Sequence, residues 1–220
     1  MDGGVLYCIS SLADPATIDR RAMVLQRTPP AKRRLAAIRA ETGETLWTRE
    51  DADMESYLPL TLIAQGKRTL FQNAQAIFCL DSATGKLLWR HDQASLYARE
   101  AWSTPTLVIA DDVVLSADRL TDGGSGKKTK ANAGDAQLVA LSAATGKVLW
   151  QSPCAEGHTS SPEIFVANGV VWAGENKSHK QLDWRTGRDL HTGKVVKEFG
   201  ETEGWPDWHH HRCYREKATT

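Results

Sequence analysis

The sequence predicts an all-β fold, an incomplete ring of about four four-stranded blades of a β-propeller. Three observations predict it. A Thr-Gly pair occurs four times, at Thr42-Gly43, Thr84-Gly85, Thr145-Gly146 and Thr192-Gly193. Trp47, Trp89 and Trp150 follow the first three glycines at one offset, four residues on. The glycines stand 42, 61 and 47 residues apart, near the ~40–45 residues of a blade.

Each Thr-Gly pair reads as the turn of a hairpin, because glycine accepts a positive φ without a Cβ penalty and the Thr hydroxyl can bond the turn backbone. A Trp at a constant distance from that turn packs a large flat ring at the same place in each unit, with its indole N–H near a partner. The blades are predicted over 1–50, 57–91, 103–152 and 160–200, with 201–220 beginning a further one.

In chain order, Asp2, Gly3 and Gly4 form a turn before a strand over 5–10. A polar interruption over 13–33 follows, containing a short helical turn within 19–26, and then strands over 35–39 and 45–49. The second blade has strands over 59–64, 68–72, 75–80 and 86–90, with Gly66 turning the first pair. The third has 106–110, 113–117, 137–142 and 147–151, with Asp111-Asp112 as its first turn. The fourth begins at Ser161-Pro162, with strands over 163–166 and 170–173 around the turn 167–169, and a last strand over 195–199. These segments are short, rich in β-branched residues and bounded by turn formers, which suits a propeller or sandwich; the repeat selects the propeller.

The 61-residue spacing has a visible source. Residues 120–136 are polar and Gly-rich, an insertion in a hairpin of the third blade. Its Lys127, Lys128 and Lys130 are placed to touch an acidic partner, although solvated charged loops without interleaved aromatics are the commoner outcome.

Lys+Arg 27 and Asp+Glu 27 balance across 220 residues, so overall charge gives no reason to expect nucleic acid or an anionic membrane. No apolar run approaches the ~18 residues of a membrane span, and no targeting segment is visible. Cys8, Cys79, Cys154 and Cys213 lie far apart, so no disulfide framework follows; Cys8 and Cys79 read as small buried hydrophobes. About three and a half blades are fewer than the four to eight that close a ring, so the chain reads as a piece of a longer protein or one half of an assembly.

With these elements placed, the repeat Ala-x-Asp-x-x-Thr-Gly-Lys-x-x-Trp resembles the tryptophan-docking motif of the PQQ-like, or quinoprotein-type, β-propellers. It stands as Ala37…Thr42-Gly43…Trp47, Cys79…Asp81…Thr84-Gly85…Trp89, Ala140…Thr145-Gly146…Trp150 and Gly187…Asp189…Thr192-Gly193. The resemblance covers most of residues 35–200 and implies that each Trp packs on the neighbouring blade's motif. Arg39 and Ser142 replace the Asp in two copies. Lys197 stands at the fourth Trp position, which weakens that blade contact or passes it to Phe199.

A narrower resemblance, carried by residues 157–162, 187–193 and 209–219, is to PQQ-like propeller proteins of planctomycete-type bacteria, which are predicted to be exported. It implies a periplasmic or extracellular location. A quinoprotein dehydrogenase of this family stacks PQQ on a disulfide of adjacent cysteines and holds calcium with Glu and Asn beside an Asp base. This sequence has no adjacent cysteine pair, and Glu163, Asn168 and Asp183 supply residue types without the matching context.

The remaining candidates lie in the tail. On a strand His209, His211 and Cys213 share one face, and imidazole with thiolate suits zinc or copper; a strand entering the next blade with bonded imidazoles is the commoner alternative. Trp205 and Trp208, with His158 and Arg185, have the composition of a pocket wall or of a packed loop. No GxSxG, HExxH, Walker or GxGxxG arrangement occurs. The reading is a non-catalytic scaffold or binding module whose contacts are a protein partner or further blades. Its alternatives are part of a PQQ- and calcium-dependent dehydrogenase, and a propeller that binds a metal or small ligand.

Overall fold

The computed structural model describes residues 2–17, 32–58, 60–95, 97, 104–119, 136–154, 164–174, 184–201 and 214–217. Their strands form separate antiparallel sheets in chain order. The first contains Val5–Ser11 (β1), Arg33–Arg39 (β2) and Thr45–Arg49 (β3). The second contains Ile63–Gln65 (β4), Arg68–Gln72 (β5), Ala76–Asp81 (β6) and Leu87–Asp92 (β7). The third contains Thr106–Ala110 (β8), Val113–Arg119 (β9), Ala136–Ser142 (β10) and Val148–Cys154 (β11). The fourth contains Ile164–Ala167 (β12), Val170–Gly174 (β13), Trp184–Asp189 (β14), Val195–Glu201 (β15) and Tyr214–Lys217 (β16). Each sheet is a meander in which sequential strands pair, as propeller blades require.

Turn chemistry sets the strand ends. Asp111 and Asn168, at φ 51° and 52°, turn β8 into β9 and β12 into β13. Both belong to the short polar residues that tolerate the left-handed region. The hairpin β9–β10 pairs Arg119 with Ala136, so residues 120–135, outside the described set, connect these two strands. The helical turn read within 19–26 also lies outside the described residues.

Two segments differ from the sequence reading. The first strand of the second sheet is Ile63–Gln65 rather than 59–64. Leu60 takes φ 66°, and the Thr61 hydroxyl donates back to the Leu58 carbonyl at 2.7 Å, so the chain is folded on itself where an extended strand was expected. In the tail, Tyr214–Lys217 pairs with β15 as a fifth strand of the fourth sheet, within the span that the sequence assigns to a further blade.

The core lies between consecutive sheets rather than inside any one of them. Leu35, Phe71, Phe78 and Leu80, with Met54 and Tyr57, fill the space between sheets one and two. Leu70, Cys79 and Trp89 meet Leu107, Val114, Val139 and Leu141 between sheets two and three. Leu115, Leu138, Trp150 and Cys154 meet Ile164, Val171, Ala173 and Leu190 between sheets three and four. Strands in these positions are apolar on both faces, as the burial of all five residues from Ala76 to Leu80 in β6 illustrates. Each fully buried Leu or Phe contributes about 1.5–3 kcal/mol relative to exposure, and many of these side chains lie between neighbouring blades.

Candidate functional site

The Thr-Gly hairpins show what the repeated residues do. In each, the ladder slips by one residue just before the turn, at Ala37/Ile38, Cys79/Leu80, Ala140/Leu141 and Gly187/Arg188. The bulge leaves Trp47, Trp89 and Trp150 opposite Ala37, Cys79 and Ala140 respectively. From there each ring reaches the next blade. The indole N–H of Trp47 donates to Ser82 O at 2.9 Å, that of Trp89 to Ala143 O at 2.9 Å, and that of Trp150 to Leu190 O at 2.8 Å.

Each ring lies directly on the next blade's turn glycine. A Cβ on Gly85 would stand 2.7 Å from Trp47 Cε3, one on Gly146 2.6 Å from Trp89 Cε3, and one on Gly193 2.6 Å from Trp150 Cδ2. These glycines also hold φ values of 71°, 69° and 68°. Glycine is thus required twice at each seat, by conformation and by the ring above it. The accepting residues are anchored in turn: Ser82 N–H donates to Lys67 O, Ala143 N–H to Asp112 O and Leu190 N–H to Gly169 O.

Where the motif keeps its Asp, the carboxylate braces the turn. Asp81 Oδ1 accepts from the Ala83 and Thr84 amides and the Thr84 hydroxyl, and Asp189 Oδ1 from the His191 and Thr192 amides and the Thr192 hydroxyl. The hydroxyl bonds lead in holding both carboxyls below the ordinary carboxylate range. Arg39 instead pairs with Glu44 at 3.0 Å across its own hairpin. Between blades three and four, His191 Nε2 lies 2.9 Å from Asp112 Oδ1 and lowers that carboxyl too.

A second group, absent from the sequence reading, lies at the end of the sheets opposite the Thr-Gly turns. Asp118, at the end of β9, is 3% exposed and is the one buried carboxylate among the described residues. It accepts from the Ser95 hydroxyl and, at 3.3 Å, from the Gln72 amide of the preceding blade. Gln93 Nε2 donates to Ser116 Oγ at 2.9 Å alongside. A polar residue closing an apolar strand reads as a strand end, and only the approach of two blades turns Asp118 into a buried, bonded link. Leu60, at positive φ and 76% exposed, sits near this same end.

His209, His211, Cys213, Trp205, Trp208 and His158 lie outside the described residues, as does the side chain of Arg185. Among the described residues no group of three or more His, Cys, Asp or Glu gathers as metal ligands, and no helix is long and apolar enough to cross a membrane. Cys79 is buried and its thiol pushed up to about 12 by burial, which leaves it an inert core residue.

Comparison with known proteins places this architecture. The family model described as outer membrane protein assembly factor BamB matches residues 9–119 and 73–203, which together run through most of the chain. The chain belongs to that family. It is 31% identical over 118 residues to quinoprotein alcohol dehydrogenase PedH of Pseudomonas putida, a match over 51% of this chain and 18% of that protein. Its fold resembles the crystal structure of BamB from Moraxella catarrhalis, with a TM-score of 0.50 at 18% identity, over 77% of this chain and 52% of that one. The chain therefore spans about half of that structure and less than a fifth of the dehydrogenase. It is a PQQ-like propeller module, related both to an assembly factor and to quinoprotein dehydrogenases.

Two residues of the types that the dehydrogenase branch uses are engaged elsewhere in this fold. The sequence has no adjacent cysteine pair, Asp118 is committed to Ser95 and Gln72, and Asn168 forms the β12–β13 turn. Glu163 and Asp183 fall outside the described residues.

Proposed function

We propose that the chain is a non-catalytic scaffold or binding module of an exported bacterial propeller protein, whose contacts are a protein partner or further blades. The observation that carries this reading is where the repeated residues are spent. Every copy of the motif with its Trp directs that ring to the neighbouring blade, and the one buried carboxylate among the described residues links two blades as well. These residues join blade to blade. The match to an outer-membrane assembly factor supports the same reading and a periplasmic or extracellular location. Fold alone does not fix function.

The likeness to PedH favours a second reading, a segment of a quinoprotein dehydrogenase. The two separate in one experiment. PQQ and calcium are added to the full-length protein, and bound-quinone absorbance and alcohol-dependent dye reduction are recorded. The scaffold reading expects neither signal; stoichiometric quinone with dye reduction overturns it. The metal reading at His209, His211 and Cys213 is tested by elemental analysis of purified protein, with stoichiometric zinc or copper as its requirement.

A further inference from the structure

The blades share an outer side that carries a repeated surface pattern. The first strands β4, β8 and β12 approach one another in turn, so they line the inner side of the arc. The strands that leave the Thr-Gly turns, β7, β11 and β15, lie toward the outer side. Each begins with the same chemistry: Lys86-Leu87-Leu88, Lys147-Val148-Leu149 and Lys194-Val195-Val196. All of these residues are exposed, the apolar ones between 39% and 51%. The added strand β16 begins its pairing with β15 at Glu198, so Val195 and Val196 stay outside that ladder.

The Trp clasps make the pattern continuous. Trp89 follows Leu88 and lies on Gly146, which precedes Lys147; Trp150 follows Leu149 and lies on Gly193, which precedes Lys194. The apolar pair of one blade is thereby set beside the lysine of the next, and basic and apolar groups alternate along one band that crosses sheets two to four. Apolar residues scattered singly on a surface are ordinary, whereas a contiguous apolar set marks a contact surface. The lysines are available to such a contact, since none of the three enters a salt bridge. Asp81 and Asp189, the acids of the same turns, are taken up by the Thr84 and Thr192 hydroxyls. The first sheet breaks the pattern with Glu44-Thr45-Leu46.

We propose that this band docks an acidic amphipathic helix of a partner protein, its apolar stripe on the Leu and Val pairs and its flanking carboxylates on Lys86, Lys147 and Lys194. Charge complementarity sets the sign of the partner. The direction of the band sets its conformation. A segment lying along it crosses strands, cannot extend a sheet ladder, and has to satisfy its own backbone groups as a helix does. This contact rests on the binding-module reading and names its partner.

The probe is a labelled synthetic peptide of about 20 residues, ~30 Å long as a helix, with Leu at helical spacing and Glu on both flanks. Fluorescence anisotropy on titration with the full-length protein is expected to show saturable binding that weakens as salt rises. Reversing Lys86, Lys147 and Lys194 to Glu is expected to weaken it roughly tenfold or more. The first blade already carries Glu44 at this position, so the turn accepts the change, and far-UV circular dichroism checks that the β-sheet is kept. Leu88→Ser with Leu149→Ser should also weaken binding. Carbodiimide coupling of the unaltered protein supplies a readout free of mutations: peptide Glu should join to Lys86, Lys147 or Lys194, as peptide mass spectrometry would read. Absence of binding, equal binding of a Lys-for-Glu peptide, indifference to the charge reversals, or cross-links that avoid these lysines overturns the proposal. Preferential binding to phosphatidylglycerol vesicles, lost on charge reversal, assigns the band to a membrane and overturns it too. Quinone-dependent dye reduction, by contrast, overturns the scaffold reading and leaves the peptide result unchanged.

Discussion

Gly146→Ala offers the sharpest test of how the blades are joined. The new Cβ would meet two costs. Gly146 sits at φ 69°, where an L side chain costs about 1–2 kcal/mol. The Cβ would also stand 2.6 Å from Trp89 Cε3 and 2.8 Å from Cδ2, so the ring must shift, and overpacking of this kind costs about 1–3 kcal/mol more. Gly66 isolates the first cost, since it has φ 60° and nothing within 4 Å of its Cβ position. Urea unfolding followed by far-UV circular dichroism should therefore rank Gly146→Ala below Gly66→Ala by about 1–3 kcal/mol. Trp89→Ala alone is expected to cost about 3–5 kcal/mol, the usual range for a buried Trp. In that background Gly146→Ala should cost no more than Gly66→Ala, because the clash has been removed. Equal destabilisation by Gly146→Ala and Gly66→Ala, or a full Gly146→Ala cost that persists without Trp89, would refute the seat-and-ring account.

Three further outcomes follow from the ionisable groups. Burial holds His91 below the ordinary imidazole value, with Asp92 and the Gly146 backbone pulling partly the other way. Its neutral form is favoured by folding, so the contribution is complete above the ordinary imidazole range and lost as pH falls through the lowered value. Urea midpoints measured from neutral to mildly acidic pH should fall in the native protein, and less steeply in His91→Gln. Asp81 and Asp189 are also held low, so the stability they give is present above the ordinary carboxylate range and disappears as pH drops through their lowered values. Asp81→Ala should reduce the melting temperature at neutral pH and converge with the native protein in strong acid. Cys79, with its thiol near 12, should resist iodoacetamide in the folded protein and label only after denaturation, as peptide mass spectrometry would read.

Much of the fold was legible because the turns are chemically explicit. Asp111-Asp112 and 167–169 announce chain reversals that their positive φ values confirm, and β5 and β8 occupy the residues read for them. The first strand of the second sheet was misread because Leu60 gives no local hint of a left-handed conformation. That geometry follows from Thr61 bonding back to Leu58 and accepting from Gln72, a contact across eleven residues. The candidate site was legible on one side only. The Trp and Gly residues stand out by spacing, whereas the acceptors are backbone carbonyls of Ser82, Ala143 and Leu190, which can be any residue type. Asp118 escaped for a related reason: its partners Ser95 and Gln72 belong to the preceding blade, and no local pattern brings them together.

The central claim is that Trp47, Trp89 and Trp150 clasp successive blades through their indole N–H groups. Indole hydrogen exchange by two-dimensional NMR, with each resonance assigned by a Trp→Phe variant, tests it most directly. Locked on buried carbonyls, Trp89 and Trp150 should exchange far more slowly than a free indole, and the half-buried Trp47 should show intermediate protection. Exchange of Trp89 or Trp150 at the free-indole rate would contradict the account.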